Sequence, residues 1–201
     1  MGSGEVGWLD LSVIEERTLE VLRAEHATFA IPIPIEEIIE VKYRIDIVPV
    51  PGLQNFDCVG YIDSGLSSIY VDEYIYGHWP TRYRFTLAHE FSHLILHEAY
   101  YGSFQFGTVQ EWKIAVAGVP PEVHMRLEYQ ANMFAGYILV PTQQLLEQAS
   151  LAVGTVEQNG LDARRSDVQG YMEGHLAKVF DVSDSVISRR MQTGHLWDKV
   201  T

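Results

Sequence analysis

Two histidines four residues apart with a glutamate between them, His89, Glu90 and His93, lie in the run Phe85-Thr86-Leu87-Ala88-His89-Glu90-Phe91-Ser92-His93-Leu94-Ile95-Leu96-His97. On a helix, side chains at i and i+4 stack on one face, so His89 and His93 can share one Zn²⁺. Glu90 is turned about 100° from His89. Its carboxylate then sits beside the metal, placed to take a proton from a bound water without becoming a ligand. With eight histidines in 201 residues, composition alone would produce the motif in roughly a few per cent of such chains. Its surroundings argue against accident. Leu87, Phe91, Leu94 and Ile95 fall on the other side, giving this helix an apolar back and a polar front.

His97 continues the register of the two histidines. At 1.5 Å per residue, however, it lies about 12 Å along the axis from His89, too far to share one ion. It is read as a rim residue, a buried polar contact or a support for a ligand. A catalytic zinc site needs three protein ligands and an open position, and Glu128 is the best candidate for the third. Leu127, Ala131, Phe134, Ala135 and Ile138 form an apolar helical stripe with Glu128 at its border. Small Ala131 and Ala135 would let this helix approach the histidine helix closely. A tetrahedral oxyanion also needs a donor, for which Tyr129, His124, His97 and Tyr70 are candidates. Asn132 and Asp72 are candidates to orient the ligands from behind.

The rest of the chain must position these groups. Apolar spacing predicts an amphipathic helix over 11–29, and the prolines in 31–34 force extended backbone before a short helix over 35–41. β-Branched runs predict strands at 45–50, 59–63 and 67–72, the last two joined by a tight turn at Ser64-Gly65, in a small antiparallel sheet. Alternation puts Ile69 and Val71 inside and Tyr70 and Asp72 in water. The sheet is read first as scaffold, with an edge strand able to pair an extended peptide as the alternative. Residues 74–80 read as a loop, and Pro80 opens the histidine helix, which runs to about residue 100. Residues 102–121 lack clear periodicity and suit a lid or cleft wall. After Pro120-Pro121 comes the helix bearing Glu128, then a short helix over 145–151 and a linker over 154–160. Residues 176–191 have a helix-turn-helix pattern, with Ser183 as N-cap of a second helix bearing Arg189 and Arg190. This divides the chain into a catalytic unit, 1–152, and a helical carboxyl-terminal segment, 153–201.

Composition narrows the function. A hydrophobic fraction of 47% suffices for a core. The balance of 14 basic against 27 acidic residues, a net charge of −13, argues against a broad nucleic-acid surface. For the same reason, the 176–191 pattern is read as completing the fold or gripping substrate rather than binding DNA. The single cysteine, Cys58, cannot pair within the chain, which favours a reducing cytoplasm. No apolar run is long enough to span a bilayer, and no signal peptide is evident. The start Met1-Gly2-Ser3-Gly4 is like a myristoylation site, except that Val6 stands where Ser or Thr is needed.

The motif at 89–93, preceded by Arg84-Phe85-Thr86-Leu87-Ala88 and followed by Glu128, Ala131-Asn132, Phe134-Ala135 and Val140-Pro141, resembles the ImmA/IrrE family of metallo-endopeptidases over residues 34–141. That resemblance implies an α+β, zincin-like fold, zinc held by His89, His93 and Glu128, and Glu90 as general base. It further implies cleavage of a helix-turn-helix transcriptional repressor. Phe91 and Ser92 stand where many relatives carry Leu-Gly, outside the ligand set. Mn²⁺ is an alternative metal, since cellular choice depends on availability as well as ligands. Two other readings stand beside it: a zinc-containing regulatory or DNA-binding module without catalysis, and a metal hydrolase of small molecules.

Overall fold

The structure, a computed structural model, describes residues 6–200; the myristoylation-like start at 1–5 lies outside the described residues. Helix α1 (Leu11–Glu25) is followed by α2 (Ile35–Glu37), which widens into a π-helical turn (Ile38–Lys42) closed by Tyr43 N–H donating to the Ile38 carbonyl. Three strands come next, β1 (Asp46–Val50), β2 (Gly60–Ile62) and β3 (Ser68–Asp72). Then come α3 (Glu73–His78), α4 (Pro80–Tyr101), α5 (Val109–Ala117), α6 (Pro121–Leu139), α7 (Thr142–Gln158), α8 (Ser166–Phe180), α9 (Asp184–Thr193) and a final turn, α10 (Trp197–Val200). The fold is α+β and zincin-like, as expected.

The sheet corrects one expectation. Its order is β1-β3-β2, and although β2 and β3 form the expected antiparallel hairpin, β1 runs parallel to β3. The sheet is therefore mixed. β2 is one edge of the sheet and lies close against α4. A Cβ on Gly60 would meet Thr86 Cγ2 at 2.6 Å, so only glycine lets β2 come so close. Asp72, expected in water, is buried instead. Its carboxylate accepts from the backbone N–H groups of Tyr74, Ile75 and Gln54 and from Gln54 Nε2. It thereby caps α3, so the segment read as a loop at 74–80 is mostly helix.

α4 lies between the sheet and α6, and α6 packs in turn on α1. Pro80 and Pro121 begin α4 and α6 at a position where the missing N–H has no partner to lose. Ala131, Phe134, Ala135 and Ile138 of α6 are fully buried, as are Leu87, Ala88 and Phe91 of α4. The alanines allow the close approach predicted for them. Truncating Phe134, which meets Phe91 edge-on at 6.2 Å, would cost roughly 3–5 kcal/mol.

Two further segments differ from expectation. Residues 102–121 contain α5, opened by a capping box between Thr108 and Glu111. α7 runs unbroken through the proposed linker at Gly154, where the glycine faces open space while Leu145, Ala149, Ala152, Val153 and Val156 stay buried. α8 and α9 form the expected helical pair. Ser183 sits at the N-cap with extended backbone, but its hydroxyl meets Ser185 Oγ rather than capping the helix. Arg190 lies under Gly136, with Nε donating to the Val140 carbonyl, Nη2 to Thr142 Oγ1 at 2.7 Å, and its guanidinium 3.8 Å above the Tyr137 ring. Buried residues of α8 and α9, including Phe180, Ile187 and Met191, join the same core as α4 and α6.

Candidate metal centre

α4 supplies His89, Glu90 and His93, and α6 supplies Glu128. One donor atom each from His89, His93 and Glu128 lies within 4.8 Å of the others. His89 Nε2 stands 3.3 Å from Glu128 Oε2. With metal–ligand bonds of about 2.0–2.1 Å, the edge of a tetrahedral zinc shell is about 3.3 Å. Two imidazoles and one carboxylate in that spacing fit a divalent ion with a position left for water.

The tautomer of His93 is set from behind. Gln130 Nε2 donates to the Gly7 carbonyl at 2.8 Å, which leaves its Oε1 to accept from His97 Nε2 at 2.9 Å. Neutral His97 then accepts at Nδ1, where His93 Nδ1 lies 2.9 Å away. The proton therefore belongs to His93 Nδ1, and Nε2 presents its lone pair to the site. His97 is buried and held down to about 4, chiefly by burial, so it stays the neutral acceptor this chain needs. Tyr101 stacks on the other face of His93 with ring centroids 4.6 Å apart.

Charge and burial act in opposite directions here. Burial pushes the Glu90 carboxyl up to about 7 against the nearby His89 charge and the Ile62 N–H, with Glu128 adding to the rise. That N–H donates to Oε2 at 3.2 Å, leaving Oε1 free. His93 is held well below the ordinary imidazole range by burial and by His89, His97 and His124. Burial opposes the charge on His89, yet the Glu128 hydrogen bond and the Glu90 charge outweigh it and raise the group. Glu128 moves the complementary way: burial raises it, but the hydrogen bond and charge of His89 lower it further.

These groups floor a cleft of about 420 Å³ that also borders Gly60, Tyr101, Phe106, Trp112 and His124. Residues from 102–121 thus form a cleft wall, one of the two roles predicted for them. Cys58 borders the cleft too, but burial first, then the Glu90 charge, pushes its thiol up to about 12, so it is no nucleophile. Val59 and Asp63 make the hydrogen bonds to β3, so the backbone groups of Gly60 and Ile62 point away from the sheet toward α4. Of the predicted oxyanion donors, His124 borders the cleft, whereas Tyr129 stacks on Trp8 at 5.0 Å, Tyr70 on Tyr61 at 4.8 Å, and His97 supports His93. Asn132 Nδ2 donates to the Glu128 carbonyl, one turn along α6. Asp72 makes no contact with the ligand set and acts on α3 instead.

A family model described as the peptidase M78, IrrE N-terminal-like domain matches residues 68–192, more than half of the chain. The chain belongs to this metallopeptidase family. No curated protein gives a significant match. The matched span of the M78 domain takes in α4, α6 and the α8–α9 pair together. Among the described residues, no helix is long and apolar enough to cross a membrane. Gln130 and Tyr101 are the contributors that sequence reasoning missed. Gln130 stands two residues after Glu128, and Tyr101 eight after His93, two turns along the same helix face; only the second carried a periodic signal.

Proposed function

We propose that this M78 peptidase is a zinc-dependent endopeptidase that cuts a partner protein, a helix-turn-helix transcriptional repressor, in the cytoplasm. The observation that carries this reading is the convergence of His89, His93 and Glu128 within 4.8 Å at the floor of a cleft, with Glu90 beside them. Zinc, or Mn²⁺ in its place, held by those three residues would supply an acidified water and a polarised peptide carbonyl. Glu90 Oε1 takes the proton of the attacking water and returns it to the leaving amine. Burial raises the Glu90 carboxyl, and a bound cation beside it would favour the ionised form that accepts the proton. His124, at the cleft wall, is the group of the predicted set placed to donate to the oxyanion.

The reading of 176–191 as a DNA-binding element loses one of its two arginines, because Arg190 is 4% exposed and fully engaged. The decisive experiment uses the zinc-loaded chain and, as candidate substrate, any small helix-turn-helix protein that a neighbouring gene is found to encode. The parent should cut that protein at one site. Glu90→Gln should keep zinc near one per chain while cleavage falls about 10²–10⁴-fold. Cleavage by Glu90→Gln at the parent rate would refute the assigned base, and tight DNA binding that survives zinc removal would favour the regulatory module.

A further inference from the structure

A second cavity of about 490 Å³ lies between α4, α6 and α9. It meets the catalytic cleft at Arg82 and Phe85, which border both. Its lining holds three arginines, Arg82, Arg189 and Arg190, and no carboxylate, in a chain with 14 basic and 27 acidic residues. Arg190 is committed to Val140, Thr142 and Tyr137. Arg82 and Arg189 are exposed and, among the described residues, neither is in an ion pair. Asp184, the acidic residue nearest Arg189 on α9, turns toward Gly174 of α8, and Asp181 is paired with Arg84 at 3.2 Å. Trp79, 53% exposed, supplies an apolar wall.

From this juxtaposition we infer that the cavity is a specificity subsite that takes an Asp or Glu side chain of the polypeptide substrate, gripped between Arg82 and Arg189. The inference rests on the peptidase reading and names what that peptidase selects. Arg82 and His89 are seven residues apart on α4, about 10 Å. An extended peptide covers that in about three residues, so the acidic residue stands two to four positions from the cleaved bond. Two guanidiniums match one carboxylate, singly or bidentate. A polyanion such as DNA draws on about 6–10 phosphate contacts, and a net charge of −13 repels it.

The test uses the zinc-loaded full chain and a pool of decapeptides randomised around a central bond, with products read by mass spectrometry. Cleaved products should be enriched about tenfold in Asp or Glu two to four positions from the cut. Arg82→Gln and Arg189→Gln should each abolish most of that enrichment, whereas Arg17→Gln, an equal charge change on α1, should not. In parallel, zinc-loaded Glu90→Gln should bind fluorescein-labelled acidic decapeptides about tenfold more tightly than their Asn/Gln counterparts, with the same arginine dependence. Cleavage without acidic preference, or an equal effect of Arg17→Gln, overturns the subsite and leaves the peptidase intact. Arginine-dependent binding of acidic peptides with no cleavage by the parent overturns the peptidase and leaves the acidic-ligand site. A labelled DNA duplex that binds more tightly than the peptides, and is released by Arg82→Gln, reassigns the patch to nucleic acid and overturns the inference.

Discussion

The catalytic cleft and the arginine cavity share Arg82 and Phe85, yet their polar groups are held in opposite ways. In the cleft, Glu90, His93 and His97 are buried, and His93 and His97 are each fixed by a neighbour that is itself fixed. In the cavity, Arg82 and Arg189 are exposed on α4 and α9 and, among the described residues, neither is in an ion pair. Chemistry at a metal tolerates little misplacement of its ligands, so its groups are locked before any substrate arrives. Recognition of a flexible side chain can be completed by the ligand itself. The difference also predicts where stability and function separate: polar substitutions in the cleft should disturb both, and those at Arg82 and Arg189 only function.

The largest effect should come from the metal. At a free zinc concentration 1,000 times its dissociation constant, binding would add about 4 kcal/mol to stability, on the order of 10 °C in the melting temperature of a chain this size. Scanning calorimetry with and without chelator should show that gap in the parent and lose it in His93→Ala. Melting indifferent to zinc would break the assignment of the donor set. Next comes Gln130→Leu, which leaves His97 and the Gly7 carbonyl without their partner. It should cost about 1–3 kcal/mol and weaken zinc binding about 10–100-fold, read by denaturant titration and a competing chelator. Unchanged zinc affinity would show that the support behind His93 is only structural.

Asp72, in the frame that carries α3 up to Trp79 and Arg82, should show a smaller, pH-dependent effect. Burial raises its carboxyl, but the hydrogen bonds from Gln54, Ile75 and Tyr74 outweigh it and lower the group. A folded-state value below the unfolded one near 3.9 gives stability that is present above that value and lost as pH falls through the folded one. Asp72→Asn should therefore cost about 1–2 kcal/mol at neutral pH, and the gap to the parent should narrow below about pH 4. Smallest of all, Arg82→Gln should leave stability within about 0.5 kcal/mol of the parent while its substrate preference changes. A large loss of stability there would make Arg82 a scaffold residue and erase the contrast between the two hollows.

Much of the cleft was legible because its information is local. His89, Glu90 and His93 sit within two turns of one helix, and the alanine stripe beside Glu128 marks the helix that must approach it. Gln130 was not legible, since its partners stand at 97 and 7 and no periodicity links those positions. Strand order was hidden for a related reason: β1 could pair with either later strand, and no local pattern distinguishes the two. Other losses were errors of weighting. The Thr108–Glu111 capping box was present in the sequence but masked by glycine and aromatic residues. The linker expected over 154–160 is mostly helix, because an apolar face running from Leu145 to Val156 outweighs the cost of about 1 kcal/mol for one glycine in a helix. The arginine cavity could not be read because α4 and α9 meet only in the fold, more than 100 residues apart.

The carbonyl of Gly7 acquires a different meaning in this light. Through the amide of Gln130 and the ring of His97, it decides on which nitrogen His93 carries its proton. Trp8, stacked on Tyr129, and the Val6 carbonyl, which accepts from Arg126 at 2.9 Å, clamp the backbone on either side of it. The segment ahead of α1 is thus coupled to the ring of His93: a change that pulls Gly7 away would free the Gln130 amide and leave the position of that ring's proton unset.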